Sequence, residues 1–132
     1  MEILARRALL DTLDNTDQKL DYVVTLEETF NFAGNGEKAI IQLRYIPDKL
    51  VLTPNSFSDY LAAFANLSWS SLEETTSVVL DDLNNEVVAR WIQIHTKMAT
   101  SSDDSFQNHQ VFLEDHQPHW DNPRLLARLK AV

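Results

Sequence analysis

Apolar and polar positions change their period several times along this chain. In residues 2–13, Ile3, Leu4, Leu9, Leu10 and Leu13 fall at near-helical spacing. That pattern predicts a short amphipathic helix, ending near Asp14-Asn15-Thr16-Asp17. Such a segment serves either as a docking element or as an arm packed on its own domain. From Asp21 the period becomes two: Tyr22, Val24 and Leu26 alternate with Val23, Thr25 and Glu27, and Phe30 and Phe32 follow. β-Branched and aromatic residues suit a strand. Ala33-Gly34-Asn35-Gly36-Glu37 reads as a turn, because glycine and asparagine tolerate positive φ. Ala39, Ile41, Leu43 and Tyr45 then alternate with Ile40, Gln42, Arg44 and Ile46, so the two runs make an antiparallel hairpin.

Pro47 and Pro54 bracket the exit from this hairpin. Asn55 or Ser56 can cap a helix whose apolar face is Phe57, Tyr60, Leu61 and Phe64. A second helix starts where Ser70 or Ser71 precedes Glu73 and Glu74, a spacing that makes a capping box available and puts acids at the positive end of the helix dipole. Val78, Val79, Leu80 and Leu83 continue its apolar face, and Asn84-Asn85 ends it. Val88, Arg90, Ile92 and Ile94 alternate with Val87, Ala89, Trp91 and Gln93, which predicts a third strand with His95 at its end. Residues 99–104 read as a polar turn and 106–113 as a fourth strand. Leu125, Leu126 and Leu129 follow Pro123 at helical spacing. The resulting order is ββααββ, an α+β class with two helices on one face of a four-stranded antiparallel sheet. The implied division is an N-terminal helical arm (1–20), a central domain (21–117) and a C-terminal tail with a short helix (118–132). Four strands leave exposed sheet edges, which self-association would remove.

Composition narrows the function classes. The 132 residues suit one domain, and 44% apolar content with only 2 glycines and 4 prolines argues for a real core. No apolar run approaches the ~20 residues needed to span a bilayer, so no membrane partner is expected. The first residues lack the order of a signal peptide, which makes the cytoplasm the expected location. A net charge of −9 repels phosphate backbones and argues against nucleic acid as a partner, although it also serves simple solubility. With 0 cysteines, disulfides, thiolate metal sites and cysteine nucleophiles are excluded together.

Other clusters carry less. His109, Glu114, Asp115, His116, His119 and Asp121 include metal-ligand types, but Pro118 interrupts the helical spacing of His116 and His119, so a polar loop is the better reading. Trp69, Trp91 and Trp120 could stack on a base, yet core packing is the more ordinary use. Asp81-Asp82 and Asp103-Asp104 read as solvated pairs. No catalytic residue and no metal ligand is assigned.

One stretch carries a family likeness. In order, the chain has Ile41-Gln42-Leu43-Arg44-Tyr45-Ile46-Pro47-Asp48-Lys49, then Tyr60-Leu61 and Phe64, then Glu73 nine residues before Asp82-Leu83. Over residues 21–96 this series resembles the 7-cyano-7-deazaguanine reductases, nitrile reductases of the tunnelling-fold superfamily that make a precursor of the tRNA base queuosine. The resemblance implies a tunnelling fold, subunits that close a barrel together, and ligand sites between subunits. It also implies that Glu73 anchors the substrate heterocycle. In the family, a loop between the first two strands carries a cysteine nucleophile followed by an aspartate. Here residues 28–37 hold no cysteine, and only Glu28 or Glu37 stands near the aspartate's place. The family's Glu-Ser-Lys-Ser segment, tied to NADPH, appears as Thr53-Pro54-Asn55-Ser56, without its acid and base. The arginine after Ser-Phe becomes Ala65, the histidine beside the substrate glutamate becomes Leu72, and the Arg-Gly-Gly after the third strand has no counterpart near Thr96-Lys97-Met98.

The departures bear on chemistry. Attack on a nitrile needs a strong, partly ionised nucleophile, and NADPH phosphates need fixed cations. Neither is present, so the family's NADPH is not expected as a cofactor and the chain is not expected to reduce nitriles alone. Two roles stay open to Glu73. It is a helix-start acid facing water, or an acceptor of two parallel N–H donors from a purine-like or pterin-like edge. Three functions follow: a heterocycle-binding protein or interaction module without reductase activity, an enzyme acting on such a heterocycle without cysteine, or a reductase subunit completed by a cysteine-bearing partner.

Overall fold

The computed structural model describes residues 2–31, 37–99 and 109–131. The elements are α1 (Ile3–Arg7), β1 (Thr12–Asp14), β2 (Val24–Asn31), β3 (Lys38–Ile46), β4 (Leu50–Leu52), α2 (Pro54–Ala62) with a 3-10 turn (Ala63–Asn66), α3 (Leu72–Glu86), β5 (Trp91–Met98), β6 (Gln110–His116) and α4 (Pro123–Leu126). A four-stranded antiparallel sheet runs in the order β2-β3-β5-β6, and β1 and β4 form a separate two-stranded ribbon. The class is α+β, with more elements than the alternation suggested.

Register explains the layers. Leu26, Leu43, Ile94 and Leu113 lie opposite one another across the four strands. Because side chains alternate, Ala39, Ile41, Leu43, Tyr45, Ile92 and Ile94 share one face with them. This face meets the buried Phe57, Tyr60, Leu61 and Phe64 of the first helical segment and Leu72, Val79 and Leu83 of α3. Phe64 is the hub of an aromatic cluster, with ring centroids 5.0 Å from Tyr60, 5.3 Å from Trp69 and 5.9 Å from Phe30. Polar links cross the same layer. The Thr76 and Thr96 hydroxyls meet at 2.6 Å, and Asn84 donates to Asp115 at 3.0 Å. These two contacts set the direction of α3: its start lies over the Thr96 end of the sheet and its finish over the opposite end.

Several local expectations change. The N-terminal helix stops at Arg7, and Leu13 falls in β1 opposite Val51. Helix α2 starts earlier than expected, with Thr53 at its N-cap and Pro54 at N1, where a missing N–H costs nothing. Ser56 does not cap it. Its hydroxyl instead accepts the Asp11 N–H at 3.0 Å and donates to the Thr53 carbonyl at 2.9 Å, joining the arm to the domain. Helix α3 continues through Glu86, past Asn84-Asn85. The third strand begins at Trp91 rather than near Val88, because Val87 caps α3 and Val88 takes φ 52°. His95 therefore lies inside β5, not at its end. The fourth strand, expected over 106–113, runs to His116. All but the last residue of the expected turn at 33–37, and all but the first of the polar segment 99–104 with Asp103-Asp104, lie outside the described residues.

The N-terminal arm is held by a buried ion cluster. Asp82, on α3, has no solvent exposure. It accepts from Arg6 Nε at 2.6 Å and Nη2 at 3.0 Å, from Arg7 Nε at 2.8 Å and from the Tyr60 hydroxyl at 2.5 Å. Burial alone would push the Asp82 pKa up, but the hydrogen bonds from Arg6, Tyr60 and Arg7 outweigh it and hold the carboxyl below its ordinary 3.8. The Tyr60 hydroxyl, buried and donating to Asp82, is held far above its usual range. Arg6 also lies over the Trp69 ring, 5.8 Å from its centroid. Thus Asp82 is not a solvated acid but the counter-ion of two arginines.

Asp82→Asn is expected to destabilise the chain by about 3 kcal/mol, because it leaves two largely buried guanidinium groups without a counter-charge. Denaturant titration measures this. A folded pKa lowered from 3.8 contributes stability above that value, and the contribution is lost as pH falls through the folded pKa. The acid limb of the wild-type stability curve should therefore flatten in the variant. Val88→Gly should raise stability by roughly 0.5–1 kcal/mol, since a β-branched residue in the left-handed region is strained while glycine is not. An unchanged or lower midpoint would show that the Val88 conformation carries no penalty.

Candidate functional site

The start of α3 separates two adjacent acids. Ser71 is the N-cap, and its hydroxyl accepts the Glu74 N–H at 3.0 Å. Glu74 reaches back to accept the Ser70 N–H at 3.1 Å and the Ser70 hydroxyl. Ser71 and Glu74 stand three residues apart as in a capping box, but the Glu74 carboxylate reaches one residue further back, to Ser70 rather than to the N-cap N–H. Glu73 takes no part in it. Its side chain is 62% exposed, and Oε1 meets His109 Nε2 at 2.6 Å.

His109 reaches this position from the entrance to β6. Its carbonyl accepts the Met98 N–H at 3.1 Å, which extends the β5–β6 pairing by one step and sets the histidine beside the first turn of α3. The register also fixes which end of the sheet this is. Ala39 lies opposite Met98, and Asn31 opposite Lys38, so the β2–β3 and β5–β6 connections both leave from the end where Glu73 stands. Chemically, the pair sets an imidazole beside a largely exposed carboxylate.

The other singled-out residues fall elsewhere. Glu28, on β2, accepts the Ser58 hydroxyl of α2, and Glu37 lies just before β3. Within the Thr53-Pro54-Asn55-Ser56 segment, Ser56 is committed to the N-terminal arm. Asp82 belongs to the ion cluster rather than to a ligand site. His95 Nε2 meets Gln110 Oε1 at 2.8 Å, and its ring lies 6.2 Å from that of Phe112. Trp69 packs against the core and Trp91 is buried. Trp120 and Asn122 donate to Asp21 at 3.3 and 2.9 Å, and Arg90 donates to the same carboxylate at 2.9 Å. Burial would raise the Asp21 pKa, yet these donors hold it below the ordinary value. Among the described residues, no three His, Cys, Asp or Glu side chains converge as a metal site. Among the same residues no helix is long and apolar enough to cross a membrane.

Sequence reading missed two features. The His109–Glu73 contact joins residues 36 positions apart, and no local pattern marks it. The Asp82 cluster left a fainter trace: paired arginines on an otherwise apolar N-terminal helix, and a tyrosine spaced to meet α3.

An antiparallel α+β sheet with an acid at a helix start defines a class, and sequence comparison narrows it. Residues 37–100, from the entrance of β3 through β5, match the family model described as QueF-like protein. An NADPH-dependent 7-cyano-7-deazaguanine reductase of Syntrophus aciditrophicus (strain SB) is 28% identical over 120 residues, covering 86% of this chain and 82% of the relative. The chain is thus similar to QueF-like, nitrile-reductase-related proteins over these residues. It carries 0 cysteines.

The division of roles between the two acids is measurable. Ser71→Ala should cost about 1 kcal/mol through loss of the cap. Glu74→Ala should lower the unfolding midpoint as well, whereas Glu73→Ala should leave it almost unmoved in thermal melts. A loss from Glu73→Ala equal to that from Glu74→Ala would mean that both acids serve the helix.

Proposed function

We propose that this QueF-related chain holds a planar purine-like or pterin-like heterocycle at Glu73 and does not reduce nitriles by itself. The observation that carries the reading is the freedom of Glu73 from the capping box. A helix needing one acid for its cap has two in sequence, and the one left over points its carboxylate outward beside His109. Such a carboxylate suits a ring N–H and an exocyclic amine presented side by side. His109 occupies one position on Oε1, and each carboxylate oxygen retains further lone pairs for the ligand's donors. A buried acceptor left unpaired is costly, so once a ligand and a neighbouring subunit cover Glu73, heterocycles without the donor pair are rejected.

The fold reading that accompanies this is the tunnelling fold. The terminal strands β2 and β6 of the four-stranded sheet each have a neighbour on one side only. Pairing such edges between copies closes a barrel, leaves a homo-oligomer, and puts the Glu73 end of the sheet beside another subunit. A cytoplasmic location fits a queuosine-pathway relative. No resident cofactor is assigned, because neither the thiolate nor the phosphate-binding cations needed for NADPH chemistry accompany Glu73.

A second reading has its own support. The named reductase aligns over 82% of its own length, yet this chain lacks the nucleophile. A cysteine-bearing partner chain would then complete the site, and activity would appear only in the mixed assembly.

Calorimetric titration of 7-cyano-7-deazaguanine, guanine and a pterin tests both. Saturable binding is expected for wild type, with a loss of at least tenfold, about 1.4 kcal/mol or more, in Glu73→Ala. No binding of any of the three would discard the heterocycle site in this chain and leave an interaction module. Nitrile reduction by the chain alone would overturn the non-reducing assignment, whereas reduction only on adding a cysteine-bearing partner would establish the second reading.

A further inference from the structure

The face of the sheet opposite the helices carries a second cluster, independent of Glu73. Arg44, Gln93 and Glu114 are cross-strand neighbours on β3, β5 and β6. Arg44 Nε donates to Gln93 Oε1 at 2.7 Å, and Gln93 Nε2 donates to Glu114 Oε1 at 3.3 Å. The segment around α4 crosses this face, where the Lys130 carbonyl accepts from Arg44 Nη1 at 2.7 Å. Between the segment and the sheet lies a cleft of about 380 Å³. This falls in the range of small-molecule sites, roughly 300–1,000 Å³.

One charged group lining the cleft is incompletely served. Arg44 is 7% exposed, and among the described residues no carboxylate lies within ion-pair distance of it. Its two hydrogen bonds both go to neutral oxygens. Trp91 is 1% exposed and forms part of the cleft wall. A buried cation without a counter-charge is unfavourable, and an anionic oxygen would relieve it. The remaining walls are apolar: Phe112, which is 46% exposed, with Leu126 and Leu129.

From this arrangement we infer that the cleft binds a small monocarboxylate with an apolar or aromatic body. The carboxylate sits with Arg44, and the body rests on Phe112, Leu126 and Leu129 beside Trp91. Glu114, exposed at the rim, opposes the anion, and Gln93 holds one of its oxygens. The cleft therefore selects singly charged ligands over dianions.

The test is titration of the full ¹⁵N-labelled chain with 3-phenylpropanoate and with the uncharged 3-phenylpropanol, followed by nuclear magnetic resonance. The carboxylate should move the Trp91 indole and Arg44 Nε–H signals saturably, and leave that of Trp69 in place. Arg44→Met should weaken binding by about tenfold or more, the usual scale for a charge-assisted hydrogen bond. Glu114→Gln alters an exposed side chain and should tighten binding several-fold. The inference fails if no saturable shift occurs by about 10 mM ligand, well past weak millimolar affinity. It fails equally if the alcohol binds as well as the acid, or if Glu114→Gln leaves affinity unchanged. The last two comparisons decide the matter even if Arg44→Met does not fold.

Discussion

A single buried carboxylate ties the outer parts of this chain to its centre. Asp82 sits in α3 with no solvent exposure, and its partners come from α1 (Arg6, Arg7) and α2 (Tyr60). Desolvating three charges is unfavourable, and the geometry must be good to offset it. Here it is: every bond falls between 2.5 and 3.0 Å, and both carboxylate oxygens are used. Because the cluster tolerates so little displacement, it acts as a register pin. It fixes α3 against α2, and thereby fixes which end of the sheet the first turn of α3 overhangs. Glu73 stands where it does because Asp82, nine residues further along the same helix, cannot move.

A second pin works on the opposite flank. Asp21 gathers Arg90, Trp120 and Asn122, while Arg90 also reaches the Gln18 and Leu20 carbonyls and Asp48. This network joins the approach to β2, the exit of β3, the entrance of β5 and the C-terminal tail. It explains why the tail stays on the sheet although α4 contributes no buried residue. The two clusters divide the work of the termini: Asp82 anchors the arm on the helical side, and Asp21 anchors the segment that crosses the opposite face.

What could be read beforehand follows from the range of the interactions. The strands of the first hairpin and the apolar face of α2 were legible because each depends on spacing within a few residues, and alternation at Ala39, Ile41, Leu43 and Tyr45 has one physical outcome on a half-buried sheet. The start of β5 was not legible. The alternation of Val88, Arg90 and Ile92 is genuine, but Val87 closes α3 through its bond to Leu83, and the chain must turn at Val88 before pairing begins. The ribbon of β1 and β4 was hidden for a different reason. Three-residue strands carry too short a pattern, and their pairing spans about forty residues of sequence. Asp82 misled for the same cause: beside Asp81 it looks solvated, and only the distant Arg6 and Arg7 make it a core residue.

At the candidate site the legible and the hidden meet in one turn of helix. A capping box was visible at Ser70-Ser71 with Glu73-Glu74, but which acid closes it depends on atomic register. Since Glu74 occupies N3 and its carboxylate holds Ser70, the helix start is served without its neighbour. An acid at N2 still gains from the helix dipole, but such a contribution at an exposed position is small and asks for no particular partner. The partner Glu73 has is specific: an imidazole held in place by the β5–β6 ladder through the Met98 N–H and the His109 carbonyl. Leu72, the residue before Glu73, turns its side chain into the core. An imidazole nevertheless lies next to the carboxylate, supplied by another strand. A carboxylate from α3 and an imidazole from the β5–β6 ladder thus meet at this helix start, a pairing that depends on long-range register and that no local pattern marks.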